Sequence, residues 1–309
     1  MKGHTLDLIV ALLVFISCSS GGKGEKSVTD TTSAQQPTEL ALPVVPSTMT
    51  DPAERLAYVM DHFWDRMDWR DSTLLTNSAF MEQNLANYYQ LITIADSTAA
   101  SHAVGTMIEA ILDSNPQVLN YFSEMSALYL YEPDSPMYDT ESYAVILDAL
   151  LARSECPDGL RMILADEHRQ TMTNRVGTRA ADFDYITLDG SRSTLHNFVG
   201  APTTILLFYD PDCNICADAE HRLASDATIN RSIAEGKTRI LAIAPFEVDP
   251  EVWRRHATTL PSTWTVGYSP KGAIDRDAIY AIRALPSFYI LTSNGTITLR
   301  DAAAYTQAK

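Results

Sequence analysis

Ile205-Leu206-Leu207-Phe208-Tyr209-Asp210-Pro211-Asp212-Cys213-Asn214-Ile215-Cys216-Ala217-Asp218-Ala219-Glu220-His221-Arg222-Leu223 decides the reading of this chain. The apolar run 205–209 reads as a buried strand, broken by Asp-Pro-Asp. From Ala217 onward the pattern is helical. Two cysteines therefore stand where a strand ends and a helix begins. The unpaired N–H groups and positive dipole end of a helix start favour a thiolate there. A thiolate attacks disulfides, and the second cysteine, one helical turn on, is near enough to close the ring. Strand, C-x-x-C, helix is the outline of a thiol–disulfide exchange site. The local charges pull both ways. The helix start contributes roughly 0.3–1 kcal/mol to an exposed anion and up to about 2 when partly buried. Asp210 and Asp212 oppose it as like charges, and Asn214 is a candidate donor to the sulfur.

On either side of this stretch the texture is strand and turn. Phe183 to Leu188 alternates and Asp189-Gly190 turns it. Arg239 to Ala244 is a second buried strand, Pro250 to His256 a helix, and Trp264 to Tyr268 a short extended segment. Ser287 to Leu291 is a strand that Asn294-Gly295 turns into Thr296 to Leu299. Parallel strands separated by helices, then a hairpin, predict a mixed sheet flanked by helices.

These residues carry a resemblance to a known family. The Leu188-Asp189-Gly190 turn, Phe198-x-Gly200-x-Pro202, Cys213-x-x-Cys216 and Leu285-Pro286-Ser287-Phe288 resemble the thioredoxin superfamily, in its TlpA/ResA-like branch of exported thiol–disulfide oxidoreductases. The resemblance covers residues 175–309. It implies that Cys213 and Cys216 are catalytic. It also implies that Pro286 is a cis proline beside the cysteines, holding substrate backbone together with Leu285. The substrates implied are protein thiols and disulfides, served by a further, unidentified redox partner and by no cofactor. The sequence departs from the family in three places. Asp212 replaces the usual tryptophan. Leu207 stands where a buried acid usually helps move protons. The chain stops soon after the hairpin, so the last helix is expected to be shortened or its place left to another domain. No histidine stands between the cysteines, which in this family points to a reductant or a moderate-potential exchanger.

Residues 51–174 read as an all-α domain. Asp51-Pro52-Ala53-Glu54 is a strong helix start, with Leu56, Met60, Phe63 and Met67 following at helical spacing. Further helices open at Asn77-Ser78, Asp96-Ser97, Asn115-Pro116 and Asp139, with a sixth after Cys156-Pro157-Asp158-Gly159. The apolar stripes are core, and no catalytic constellation stands among them. The region resembles an uncharacterised domain that precedes thioredoxin-like domains in some bacterial lipoproteins.

Ahead of it, residues 8–17 form an apolar run preceded by Lys2 and too short to span a bilayer comfortably, so residues 1–17 read as a signal peptide. Phe15-Ile16-Ser17-Cys18 resembles a bacterial lipobox, which implies a lipidated Cys18, a membrane anchor, and a place in the cell envelope facing the periplasm or the cell surface. Residues 18–50 then read as the lipidated cysteine and a disordered tether, being rich in Ser, Thr, Gly, Gln and Pro.

The net charge of −16, from 39 acidic and 23 basic residues, argues against a nucleic-acid partner. With Cys18 assigned to lipid, three cysteines remain of four, too few for a disulfide framework. A zinc site needs four ligands. Recruiting His221 and Cys156 to the C-x-x-C is a weak case, so no metal is expected. Haem attachment needs a histidine where Ala217 stands. Cys156 reads as an inert thiol and His221 as a surface residue. The competing function is a binding lipoprotein whose thioredoxin-like domain is a redox-inactive scaffold.

Overall fold

The computed structural model describes residues 39–71, 73–115 and 117–307. The signal peptide, Cys18 and the tether up to residue 38 lie outside the described residues. The rest divides into two compact units, with the division between Ala103 and Val104.

In the first unit, residues 39–50 are placed although their composition groups them with the tether. The Leu40 N–H donates to Asn84 Oδ1 at 2.8 Å, and Arg55 donates to the Met49 carbonyl. Helix α1 (Pro52–Asp61) starts as its sequence predicts, Asp51 accepting from the Ala53 and Glu54 N–H groups. It stops short of Met67, at His62 (φ −105°, ψ 5°). Phe63 and Trp64 instead turn onto Tyr88, with ring centroids 5.2 and 5.3 Å away. Burying two large aromatic rings outweighs a further turn of a helix whose next residues, Asp65 and Arg66, are exposed. Tyr88 belongs to α2 (Ser78–Ile94), whose buried residues Met81, Leu85, Tyr88, Tyr89 and Ile92 form one apolar stripe.

Helix α3 (Ser97–Ser114) carries the chain across the division. In the second unit come α4 (Gln117–Ser126), α5 (Thr140–Leu151) and α6 (Asp158–Met172). A wide turn follows α4, closed by the Glu132 N–H on the Ala127 carbonyl at 3.0 Å.

The sheet follows in the same unit. Its strands are β1 (Asp184–Thr187), β2 (Arg192–Thr194), β3 (Thr203–Phe208), β4 (Thr238–Ala244), β5 (Thr265–Tyr268), β6 (Ser287–Thr292) and β7 (Ile297–Ala302). The order is β2-β1-β5-β4-β3-β6-β7. The β3–β4 and β4–β5 pairs are parallel, and the other pairs are antiparallel. The expected mixed sheet flanked by helices is therefore present, preceded by helices. Gly190 and Gly295 take the left-handed φ values (84° and 82°) that close the two hairpins. Between the strands lie α7 (Leu195–Phe198), α8 (Asn214–Ser225), α9 (Ala227–Ala234), α10 (Pro250–Ala257) and α11 (Ala273–Arg276).

The central strands are buried on both faces, as parallel strands covered by helices are. One face sends Leu206, Phe208, Leu241, Ile243, Tyr289 and Leu291 into a core with Phe183 and Tyr280. The other sends Ile205, Leu207, Tyr209, Ile240, Ala242 and Phe288 against Cys216, Ala219 and Leu223 of α8 and Trp253 of α10. This second face positions the site.

At the far edge, β7 is joined to the helices by buried charge. Arg283 Nε donates to Asp301 Oδ2 at 2.5 Å, Nη1 donates to the Tyr131 carbonyl, and the guanidinium lies 3.7 Å from the Tyr131 ring centre. Ser287 donates to the other oxygen of Asp301 at 2.9 Å. Arg300, 1% exposed, donates to the carbonyls of Thr171 and Gln170 at the end of α6. Gln307 donates to the Pro133 carbonyl from the short turn Tyr305–Gln307 that follows β7. Residues of the helical stretch thus meet the last strand.

Candidate functional site

Tyr209 closes the buried run of β3, and Asp210-Pro211-Asp212 turns the chain into α8. The Asp212 N–H donates to Asp210 Oδ1 at 2.9 Å, and the Cys213 N–H donates to the Asp210 carbonyl at 3.1 Å. One of the two carboxylates flanking the site is thereby tied into the turn that builds it. Cys213 is the residue that caps α8, with extended backbone (φ −92°, ψ 113°). Its Sγ accepts from the Cys216 N–H at 3.2 Å. A sulfur in the capping position receives one of the helix's unpaired N–H groups, which an oxygen usually takes.

The two thiols differ sharply. Cys213 is partly exposed, and Cys216 is fully buried on the inward face of α8 with Ala219, Glu220 and Leu223. Burial, then hydrogen bonding to Cys213, pushes the Cys216 thiol well above the ordinary thiol range. One sulfur is thus presented to solvent and the other is held protonated behind it. Both are free thiols. Asn214 and Ile215, between them, are exposed, Ile215 by 66%.

The Leu285–Pro286 bond is cis, as the resemblance implies. Pro286 is buried at the start of β6, whose Ser287 pairs with Phe208 at the end of β3. Leu285 and Cys213 border the same apolar cluster, the one holding Cys216 and Phe288. Cys213, Cys216 and Leu285 are therefore brought together, and Pro286 follows Leu285 directly.

Leu207, in the place of the family's acid, points into this same cluster. The sequence reading missed a carboxylate nearby. Glu220, 5% exposed, sits one turn beyond Cys216, and its two oxygens lie 3.1 and 3.0 Å from His256 Nε2 on α10. The imidazole stacks on Tyr209 at 5.2 Å, and the Tyr209 hydroxyl accepts from Trp253 Nε1 at 3.0 Å. The available signal was the i, i+4 spacing of Cys216 and Glu220 on one helix face. His221, next in sequence, is exposed. Cys156 is 3% exposed, and burial raises its thiol too. Among the described residues no group of three or more His, Cys, Asp and Glu side chains is placed to hold a metal ion. Also among them, no helix is long and apolar enough to cross a membrane.

A domain of unknown function (DUF5106) matches residues 17–168. Among solved structures, a thioredoxin-like protein from Bacteroides caccae is 27% identical, covers 85% of this chain and 94% of its own, and superimposes with a TM-score of 0.75. The C-terminal domain of an uncharacterized protein from Bacteroides fragilis is 34% identical over 42% of this chain and 91% of its own, with a TM-score of 0.40. The thioredoxin domain of a thiol–disulfide oxidoreductase from Bacteroides vulgatus is 20% identical over 42% of this chain and 93% of its own, with a TM-score of 0.36. No curated protein matches the chain.

Proposed function

Because this chain belongs to the thioredoxin superfamily, we propose that it is a thiol–disulfide oxidoreductase of the exported, TlpA/ResA-like kind, acting on protein thiols and disulfides through Cys213 and Cys216. One observation carries this reading: the sulfur of the partly exposed Cys213 caps α8 and accepts the Cys216 N–H, while Cys216 lies fully buried behind it. That asymmetry is what two-step exchange requires. The exposed thiolate attacks one sulfur of a substrate disulfide and releases the other as a thiolate. Cys216 then attacks Cys213 Sγ, forming the intramolecular disulfide and expelling the second substrate thiolate. The substrate gains two electrons and the cysteine pair loses them. A dithiol donor restores the pair by the reverse sequence.

The test is equilibration of the purified chain in glutathione buffers, followed by a disulfide-reductase assay. The expected result is a reversible Cys213–Cys216 couple and catalytic turnover. A disulfide that stays closed across the buffer range, with no turnover, would overturn the reading in favour of a scaffold used for binding.

We place the protein in the bacterial cell envelope, anchored through a lipid on Cys18, with Leu285 and Pro286 holding the substrate backbone. A single acyl chain binds membranes only marginally, whereas two or more anchor stably. Cys18→Ser is expected to move the protein from the detergent-extracted membrane fraction to the soluble one, or to block its maturation, without altering thiol chemistry in the purified chain. A wild type that takes up no labelled fatty acid and fractionates as soluble would remove the anchor from the proposal.

A further inference from the structure

Resolution of the mixed disulfide requires Cys216 to lose a proton, and its position makes that loss difficult. The sulfur is fully buried. Leu207, inward on β3 in the same cluster, has no group to receive a proton. Glu220 does. It lies four residues beyond Cys216 on the same inward face of α8, a spacing that puts the two Cβ atoms about 5–6 Å apart. It is one of two carboxylates buried among the described residues, the other being Asp301. Both of its oxygens face His256 Nε2, at 3.1 and 3.0 Å. The pair spans from interior to surface, with Glu220 at 6% side-chain exposure and His256 at 16%.

We infer that Glu220 and His256 form a proton-accepting pair that deprotonates Cys216 for the resolving step. This rests on the reading of Cys213 and Cys216 as an exchange couple. As Cys216 Sγ bonds to Cys213 Sγ, its proton passes to the Glu220 carboxylate, directly or across one water. His256 shares that proton and passes it outward, where the expelled substrate thiolate takes it up. In the reverse direction, the pair returns a proton to Cys216 as a dithiol donor opens the disulfide. The ionisable groups facing Cys216 are Cys213 and Glu220, and Asp210 meets it through its backbone. Those facing Glu220 are His256 and Tyr209.

A pair that only ties α8 to α10, or only adds negative charge, predicts something different. Glu220 opposes ionisation of Cys216. Simple removal of its charge should therefore let Cys216 ionise more readily and speed resolution. Loss of a proton acceptor should slow it.

The experiment is stopped-flow reaction of the reduced full-length protein with an aromatic disulfide that releases a coloured thiolate at each step. The first phase reports attack by Cys213 and the second reports resolution by Cys216. Glu220→Gln is expected to leave the first phase unchanged and slow the second about 10²-fold at neutral pH, the lower end of what a positioned base supplies. The second phase should recover as pH rises and hydroxide takes the proton. His256→Gln should slow the same phase and serves as the second variant if Glu220→Gln folds poorly. Glu220→Asp should restore part of the rate. A second phase equal to or faster than wild type in both Gln variants, with the first phase intact, would overturn the proton-transfer role and leave exchange standing. A wild type that releases no thiolate through Cys213 would overturn both.

Discussion

Cys213→Ser is expected to reduce disulfide-reductase activity to the uncatalysed background. A hydroxyl at the α8 cap can still accept the Cys216 N–H, so the helix should keep its start and the fold its stability. What disappears is the thiol of the partly exposed cysteine at the site, Cys213. Cys216 cannot substitute for it, being fully buried and held protonated. Cys216→Ser should behave oppositely. The first attack proceeds, nothing resolves it, and mixed disulfides accumulate through Cys213. They should be visible as mass additions that a reductant removes. Cys156→Ser should leave both steps unchanged, since that thiol is buried elsewhere. Trapping through Cys216 in the Cys213→Ser variant would reverse the assignment of roles.

The largest stability effect should come from the buried pair at the sheet edge. Arg283 is 13% exposed and Asp301 1%. Breaking such a pair leaves one charge in the interior without its partner, a cost of about 3–5 kcal/mol. Arg283→Ala should lower the unfolding free energy by that amount in a denaturant titration followed by circular dichroism. Asp301→Asn is the better partner variant. Asp301 has a φ of 41°, which asparagine tolerates, and Asn can still accept from Ser287. The double variant should cost clearly less than the two single changes added together, because both remove one interaction. A loss below about 1 kcal/mol for Arg283→Ala would mean that water reaches the pair and screens it as at a surface.

The exchange site was legible in the sequence because its parts are contiguous. A continuous apolar run, a break and a helix start fix where both cysteines sit within twelve residues. Pro286 was legible through the family pattern, because a proline opening a strand calls for a reason. Glu220 and His256 were not. They are 36 residues apart on separate helices, and a lone glutamate on an amphipathic helix reads as solvated. Arg283, Arg300 and Asp301 escaped for the same reason: charged residues are almost never fully buried unless paired, and pattern alone does not reveal the pairing. Their partners lie 129 to 152 positions away or, for Arg283 and Asp301, 18 positions apart between a loop and β7. Met67 failed for another cause. Its helical spacing is real, but the burial of Phe63 and Trp64 ended the helix first. The polar edge strand β2 offered too little apolar periodicity to be seen, and α9, only eight residues long, packs just Ile229 and Ile233 against the core and is too short to stand out.

Arg300 also orders events in time. Near the end of α6 the carbonyls of Gln170 and Thr171 accept bonds from a side chain that follows about 130 positions later, Gln170 in addition to the Thr173 N–H. A ribosome delivers the helix long before it delivers that arginine. Until β7 has emerged, the Thr171 carbonyl must rely on water for that bond, and this end of the helix is not yet complete. Strand β7 thus acts as a clasp fastened after the helices, so native structure at this end of α6 waits for synthesis of the strand instead of accompanying synthesis of the helix.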